Sequence, residues 1–182
     1  MKRTIFLPPQ AGEVALAKRE TKGAALRLLA IAALACAAFT PSAIAQPNAH
    51  APYGAPIQLA AAERIVDAAQ AEAEANNLAV AIAVVDSGGR LVSFRRMDGV
   101  GTAVIDIAIG KAYTASSMRQ PSENLQGWAS SSSAPVAIPG IMPFGGGIPL
   151  EVDGRIVGAI GVSGESTEND LRVANAGVAA LR

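Results

Sequence analysis

The sequence predicts a single α+β domain, in which helices flank an antiparallel β-sheet of about five strands. Two pairs of short, β-branched apolar runs are each joined by turn residues, as in β-hairpins. Segments with the apolar spacing of amphipathic helices lie before, between and after these pairs. Hairpins interspersed with helices favour an antiparallel sheet over a doubly wound parallel one. The length of 182 residues suits one core.

The predicted elements follow from changes in the apolar period along the chain. Asn76 and Asn77 end the first helix, because asparagine tolerates the left-handed conformation of a helix C-terminus. Residues 87–90 and Asp153-Gly154 have the composition of hairpin turns. The predicted order is a helix from Leu59 to about Asn77, strands over 78–85 and 91–97, a helix over 102–118, a short helix over 121–129, strands over 148–152 and 155–162, one further strand, and a helix over 167–181.

The first 45 residues have the features of a secretory signal peptide. A basic stretch precedes an apolar run over 28–39, which is too short to span ~30 Å of hydrocarbon. The small-x-small triplet ending at Ala45 suits cleavage before Gln46. We therefore expect a periplasmic or secreted protein with no stable membrane span after cleavage. A lipoprotein attached at Cys36 is the less favoured alternative, because the residues before this cysteine match such a site poorly.

The remaining chain is predicted to be a flexible leader over 46–57 and a domain over 58–182. The leader holds three prolines and His50 and has no apolar period. Residues 46–182 contain nine basic and thirteen acidic side chains, a net charge of −4. Because no basic stripe could follow a phosphate backbone, nucleic acid is not an expected partner.

Common catalytic constellations are not supported by the residues present. A histidine-dependent triad would have to recruit His50 from the leader, and Cys36 leaves with the signal peptide. The three glycines Gly145, Gly146 and Gly147 precede a proline-containing strand and not a lysine and a helix, so they are no phosphate loop. They indicate either close approach of a flat ligand or a tight crossover between the helices and the sheet.

Several motifs in order resemble the GlcG/HbpS family of haem-binding proteins, also called the haem-degrading domain family and related to the C-terminal domain of PduO-type corrinoid adenosyltransferases. The motifs are VVDSGGRLV (84–92), RMDG (96–99), GKAYTA (110–115), GGGIPL (145–150) and VGAIGVSG (157–164), with Asp170 beyond. The resemblance covers about residues 59–181. It implies an antiparallel sheet flanked by helices, assembly into homo-oligomers, octamers in the better-known members, and haem or tetrapyrrole binding in some members.

The resemblance also implies candidate haem-binding residues. Family members are thought to use threonine or another weak oxygen ligand for the haem iron, which makes Thr114 the candidate metal ligand, with Tyr113 and Met97 behind it. The glycines at 145–147 would line the slot. Each residue has an ordinary structural alternative: a polar helix residue for Thr114, a half-buried aromatic for Tyr113 and core packing for Met97.

Lys111 is the most suggestive charge, because it lies on a largely apolar helix where a lysine either reaches solvent or meets an anion. Arg95 and Arg96 are neighbours on a strand, so they point to opposite faces and one of them could reach the same anion. The alternative for these cations is a salt bridge to Asp98, Asp106 or Glu165. Asp170 is expected to cap the last helix.

Two function classes therefore stay open, together with a purely structural oligomer whose glycines serve subunit packing. The first is an exported protein that binds haem or another tetrapyrrole and sequesters or senses it. The alternative is an enzyme for a small carboxylate metabolite, in which Lys111 and an arginine clamp the carboxylate and Glu165 moves a proton. Lys111 and Glu165 are the candidate catalytic residues, and whether the protein is an enzyme is undecided by its sequence.

Overall fold

The computed structural model of the protein describes residues 50–181. The predicted signal peptide, its cleavage site and Cys36 lie outside the described residues. Within residues 50–181, no helix is long and apolar enough to cross a membrane. The elements are α1 (Leu59–Ala75), β1 (Ala81–Asp86), β2 (Leu91–Arg96), α2 (Ala103–Met118), a 3-10 turn (Ser122–Leu125), α3 (Gln126–Ser131), a 3-10 turn (Pro135–Ala137), β3 (Gly147–Val152), β4 (Arg155–Ser163) and α4 (Thr167–Ala179).

The four strands form one antiparallel sheet in the order β2-β1-β4-β3. Helices α1 and α4 pack together on one face, where the larger core cluster lies. Helix α2 packs on the other face against β1 and β4. This arrangement confirms the predicted α+β class and its antiparallel sheet.

The sheet has four strands in the described chain, and the prediction of about five is wrong by one. The sequence analysis predicted that the glycine-rich stretch over 158–164 ends the second strand of this hairpin and enters a loop, with one further strand before the last helix. Instead, β4 runs through Gly158 and Gly161 without a break, and only residues 164–166 separate it from α4. A Cβ at Gly158 would overlap the carbonyl oxygen of Val85, and one at Gly161 would overlap that of Ala108. These glycines therefore allow close packing within the strand and do not end it.

Small side chains bring α2 close to the sheet. The smaller core cluster on this face consists of Val85 and six alanines: Ala81, Ala83, Ala108, Ala112, Ala115 and Ala159. Gly110, in the middle of α2, faces the loop before β3, because a Cβ there would lie 3.1 Å from the Cβ of Met142. Close packing against this loop thus accounts for a glycine that would otherwise cost a helix about 1 kcal/mol.

The second half of the predicted leader is part of the fold. Beyond the end of β1, the first residues of β4 have no strand on that side, and residues 52–57 fill the place. The backbone N–H groups of Gly54 and Ile57 donate to β4 carbonyls at 2.8 Å each, and Ile57 is buried. The Tyr53 hydroxyl donates to the carbonyl of Ser116 on α2 at 3.0 Å. The packed domain therefore begins by residue 52, six residues before the predicted boundary.

Candidate functional site

A buried ion pair lies where α2, β4 and α4 meet. The Nζ atom of Lys111 donates to Oδ2 of Asp170 at 2.7 Å and to the carbonyl of Val162 at 3.0 Å. The two side chains are only 4% and 3% exposed. Lys111 thus pairs with an anion, as its place on an apolar helix predicts. This anion is the carboxylate of Asp170 and not a ligand.

Sequence reasoning assigned Asp170 a different role. It was expected to cap α4, and Lys111 was expected to pair with Asp98, Asp106 or Glu165 if it formed a salt bridge. The N-cap of α4 is Ser166, whose side chain accepts from the N–H of Asn169 at 3.3 Å. Asp170 points inward to Lys111, and its Oδ1 accepts from the backbone N–H of Glu165 at 3.1 Å.

Burial raises the pKa of Asp170 above its ordinary value, and the hydrogen bond and charge of Lys111 only partly oppose this effect. The Asp170 carboxyl therefore stays protonated to a higher pH in the folded chain than in the unfolded chain, where it titrates near 3.8. The stabilising contribution of the protonated group is complete below about pH 3.8 and is lost as the pH rises through the folded pKa.

This linkage gives a testable expectation. The free energy of unfolding of the wild type, relative to Asp170→Asn, should fall as the pH rises from about 3.5 to 7. Urea denaturation of both proteins at a series of pH values measures this difference, in which carboxylates common to both proteins cancel. A difference that is flat or rises with pH would contradict the raised pKa.

The glycine triplet packs around the ion pair. Gly145, Gly146 and Gly147 are all buried. A Cβ on Gly146 would lie 3.1 Å from Lys111 Nζ, and one on Gly147 would overlap the Lys111 carbonyl oxygen. Ser122, which the sequence did not single out, accepts from the Gly147 N–H at 2.9 Å and fastens the triplet to the turn after α2. Atoms of the protein itself therefore fill the space that side chains at these glycine positions would need.

Thr114 lies one helical turn beyond Lys111 and is fully buried. Its hydroxyl donates to the carbonyl of Gly110 at 2.7 Å and accepts from the backbone N–H of Met142 at 2.7 Å. The segment over 139–147 therefore runs along α2 and covers this threonine.

Tyr113 is half-buried between two glycines. Cβ atoms placed on Gly89, in the β1–β2 turn, and on Gly140 would lie 2.8 and 3.1 Å from its ring. The tyrosine ring thus occupies a slot that two glycines leave, at the end of the sheet where β1 turns into β2.

Arg96 and Met97 lie apart from Thr114 and the buried ion pair. Arg96 pairs with Ala81 and Ala81 with Ser163, so the arginine shares a sheet end with Lys111 and the glycine triplet. However, β2 and β3 are opposite edges of the sheet, and three strand spacings separate them by about 14 Å. Met97 packs on the larger core cluster, on the opposite face of the sheet from α2. The predicted residues are thus not gathered in one pocket.

Glu165 is exposed in the loop between β4 and α4. Its Oε1 accepts weakly from the backbone N–H of Ala79 at 3.4 Å. Near this position, a cleft of about 470 Å³ lies between the end of α1 and the end of β2. Its lining consists of Gln70, Glu74, Asn77, Leu78, Ala79, Arg95, Arg96, Met97 and Asp98. The sequence analysis named Arg95, Arg96, Met97 and Asp98 of this lining but missed the α1 residues, whose signal is a row of polar side chains at helical spacing.

Comparison with known proteins places this architecture in a family. A family model described as haem degrading protein HbpS-like matches residues 57–179. The chain belongs to the HbpS-like family. This membership confirms the resemblance that the motifs indicate, and the match spans nearly the whole described domain.

Relatives of this HbpS-like chain include proteins known by sequence and by structure. Protein GlcG of Escherichia coli is 39% identical over 103 residues, covering 56% of this chain and 77% of GlcG. The crystal structure of a double variant of Streptomyces reticuli HbpS is 32% identical with a TM-score of 0.66, covering 77% and 97% of the two chains. The crystal structure of a PduOC–haem complex is 25% identical with a TM-score of 0.65, covering 69% and 94%.

Proposed function

We propose that this HbpS-like protein is an exported haem-binding protein that sequesters or senses haem. The family match over 57–179, with a haem complex among the similar structures, is the observation that carries the proposal. The signal-peptide features of the first 45 residues support export to the periplasm or beyond. Assembly as a homo-oligomer, with an octamer as the expected form, is part of the same proposal.

The predicted haem-binding residues do not fit haem in the conformation described. The Thr114 hydroxyl is buried and engaged in two hydrogen bonds, so it is closed to an iron ion. Lys111 is neutralised by Asp170, and the glycine triplet is filled by packing. Thr114 therefore stays a predicted ligand, and its hydroxyl becomes accessible only if the hydrogen bond from the Met142 N–H breaks.

One surface feature near Thr114 suits an apolar ligand. Ile138 directly precedes the segment that covers this threonine, and Phe144 lies within the segment. The two residues are 41% and 48% exposed. Exposed apolar residues that form a contiguous patch, as opposed to single ones, are typical of ligand or protein contact. We therefore propose that haem first contacts this exposed segment, and that it reaches the face of α2 only if the segment moves aside.

A haemin titration followed at the Soret band tests this proposal. We expect a saturable, stoichiometric band for the wild type. If the segment over 139–147 moves aside so that Thr114 reaches the iron, the affinity of Thr114→Ala should be about tenfold or more lower, the scale on which loss of metal-supporting groups acts. Thr102→Ala is the matched control, because Thr102 is exposed and its side chain forms no cap hydrogen bond at the start of the same helix.

The possible outcomes separate the function from the ligand. A broad, non-saturating spectrum for the wild type would overturn haem binding. A saturable band that Thr114→Ala and Thr102→Ala leave equally unchanged would keep haem binding and remove Thr114 as the iron ligand.

The alternative of an enzyme for a small carboxylate requires Lys111 and an arginine to clamp one anion. The structure pairs Lys111 with Asp170 in the core and Arg95 with Asp67 at the surface. These two cations therefore do not converge, and we do not carry this alternative further.

A further inference from the structure

The cleft between α1 and β2 has features of a small-molecule site that haem binding does not use. Its volume of about 470 Å³ is within the range of about 300–1,000 Å³ that is typical of small-molecule pockets. It forms because Asn77, in the left-handed conformation, turns the chain from α1 toward β1, while the end of β2 provides the facing wall.

Arg95 is held in place at this cleft by residues of α1. Its Nη1 donates to Oδ1 of Asp67 at 2.6 Å and to Oε1 of Gln70 at 2.9 Å. Gln70 in turn donates from Nε2 to Oε1 of Glu74 at 2.6 Å. This chain of hydrogen bonds orients the guanidinium before any ligand arrives, which lowers the entropy lost on binding.

The free edge of Arg95 suits a carboxylate. Both hydrogen bonds come from Nη1, so the N–H groups on Nε and Nη2 have no partner among residues 50–181. These two donors form one edge of the planar guanidinium, whose geometry matches the two oxygens of a carboxylate. The side chain is 37% exposed, and a ligand in the cleft can therefore reach it.

The other charges around the cleft favour a ligand that also carries an ammonium group. Glu74, Asp98 and the nearby Asp67 outnumber Arg95 and Arg96 by one charge. A bare carboxylate would meet this negative surplus, whereas a zwitterion presents a complementary group to each sign. Leu78 and Met97 add apolar surface to the lining, and they would contact an aliphatic side chain.

We propose that this cleft binds a free α-amino acid, with the carboxylate on the open edge of Arg95, the ammonium group facing Glu74 and Asp98, and an aliphatic side chain against Leu78 and Met97. The proposal is independent of haem, because the cleft lies on the opposite face of the sheet from Thr114. Asp67 acts as a positioning residue, since it orients Arg95.

Isothermal titration calorimetry of the purified protein with individual L-amino acids tests the proposal. Saturable binding is expected, tightest for aliphatic members such as leucine. Two leucine analogues separate the charges: 4-methylpentanoate lacks the ammonium group and leucinamide lacks the carboxylate. Each should bind about tenfold or more weakly than leucine.

Variants then locate the site. Arg95→Lys keeps the charge but loses the two-donor edge, and it should weaken leucine binding about tenfold or more. Asp67→Asn should weaken it less, and Arg90→Lys, at the other end of β2, should leave it unchanged. The absence of saturable binding for every amino acid would overturn the proposal. Equal affinity for 4-methylpentanoate, or equal effects of Arg95→Lys and Arg90→Lys, would overturn it as well.

Discussion

Replacing Lys111 by methionine should lower the free energy of unfolding by about 3–5 kcal/mol, the usual cost of leaving one member of a buried ion pair without its partner. Methionine retains a long unbranched side chain, so the change removes mainly the ammonium group. It leaves the carboxylate of Asp170 and the carbonyl of Val162 buried without their donor. A loss of this size is a large part of the ~5–15 kcal/mol that stabilises a typical domain. Urea denaturation at neutral pH measures it.

Two further variants show whether the ion pair is the cause. The double variant Lys111→Met/Asp170→Leu removes both charges, and it should be more stable than Lys111→Met alone, because no uncompensated charge remains buried. Arg172→Met removes an exposed cation that donates to Asn76 at 3.2 Å, and it should cost less than about 1 kcal/mol. If Lys111→Met costs no more than Arg172→Met, the pair does not hold the fold together.

The raised pKa of Asp170 is consistent with this expectation. Burial of the Asp170 carboxylate raises its pKa more than the hydrogen bond and charge of Lys111 lower it. Buried ion pairs in general add little net stability, because desolvation opposes the attraction between the two charges. Removing one partner is nevertheless costly, because the penalty for burying the other is then unopposed. We therefore expect the pair to fix how α2, β4 and α4 meet, because only this arrangement gives each buried group its partner.

Local chemistry explains why the elements could be predicted from the sequence. Helix α1 ends where expected because Asn77 adopts a φ of 52°, which asparagine tolerates. The second hairpin turns at Asp153 and Gly154, with φ values of 51° and 69°, as the Asp-Gly signal predicts. Each feature depends on residues that are neighbours in sequence, and pattern reasoning is strongest there.

The candidate site could not be predicted in the same way. Lys111 and Asp170 are 59 residues apart. The local sequence around Lys111 does not favour Asp170 as its partner over the other carboxylates that the predicted fold brings near it. The hydrogen bond from Met142 to Thr114 also depends on how the loop before β3 lies along α2. Family motifs identified Lys111, Thr114 and the glycine triplet, but only the tertiary packing shows which of their groups are already engaged.

Gly161→Ala should strongly disturb the packing of α2 on the sheet. An added Cβ would overlap the carbonyl oxygen of Ala108 and the backbone nitrogen of Ala112, so it would force α2 away from β4. Backbone atoms cannot rotate aside as a flexible side chain can, and the cost should therefore reach about 3 kcal/mol, the upper end for overpacking. The midpoint of urea denaturation reports this loss, since the slope should stay the same.

Gly127→Ala is the matched control for this change. Among residues 50–181, no atom outside the neighbouring backbone of the same helix lies within 4 Å of a Cβ at Gly127. The residue lies in the short helix α3, where alanine is favoured over glycine by up to about 1 kcal/mol. The same added methyl should therefore leave the midpoint unchanged or raise it slightly. Equal midpoints for Gly161→Ala and Gly127→Ala would contradict this expectation, because α2 would then have room for a side chain at position 161 of β4. The close approach that places Lys111 and Thr114 against the sheet would then not depend on Gly161.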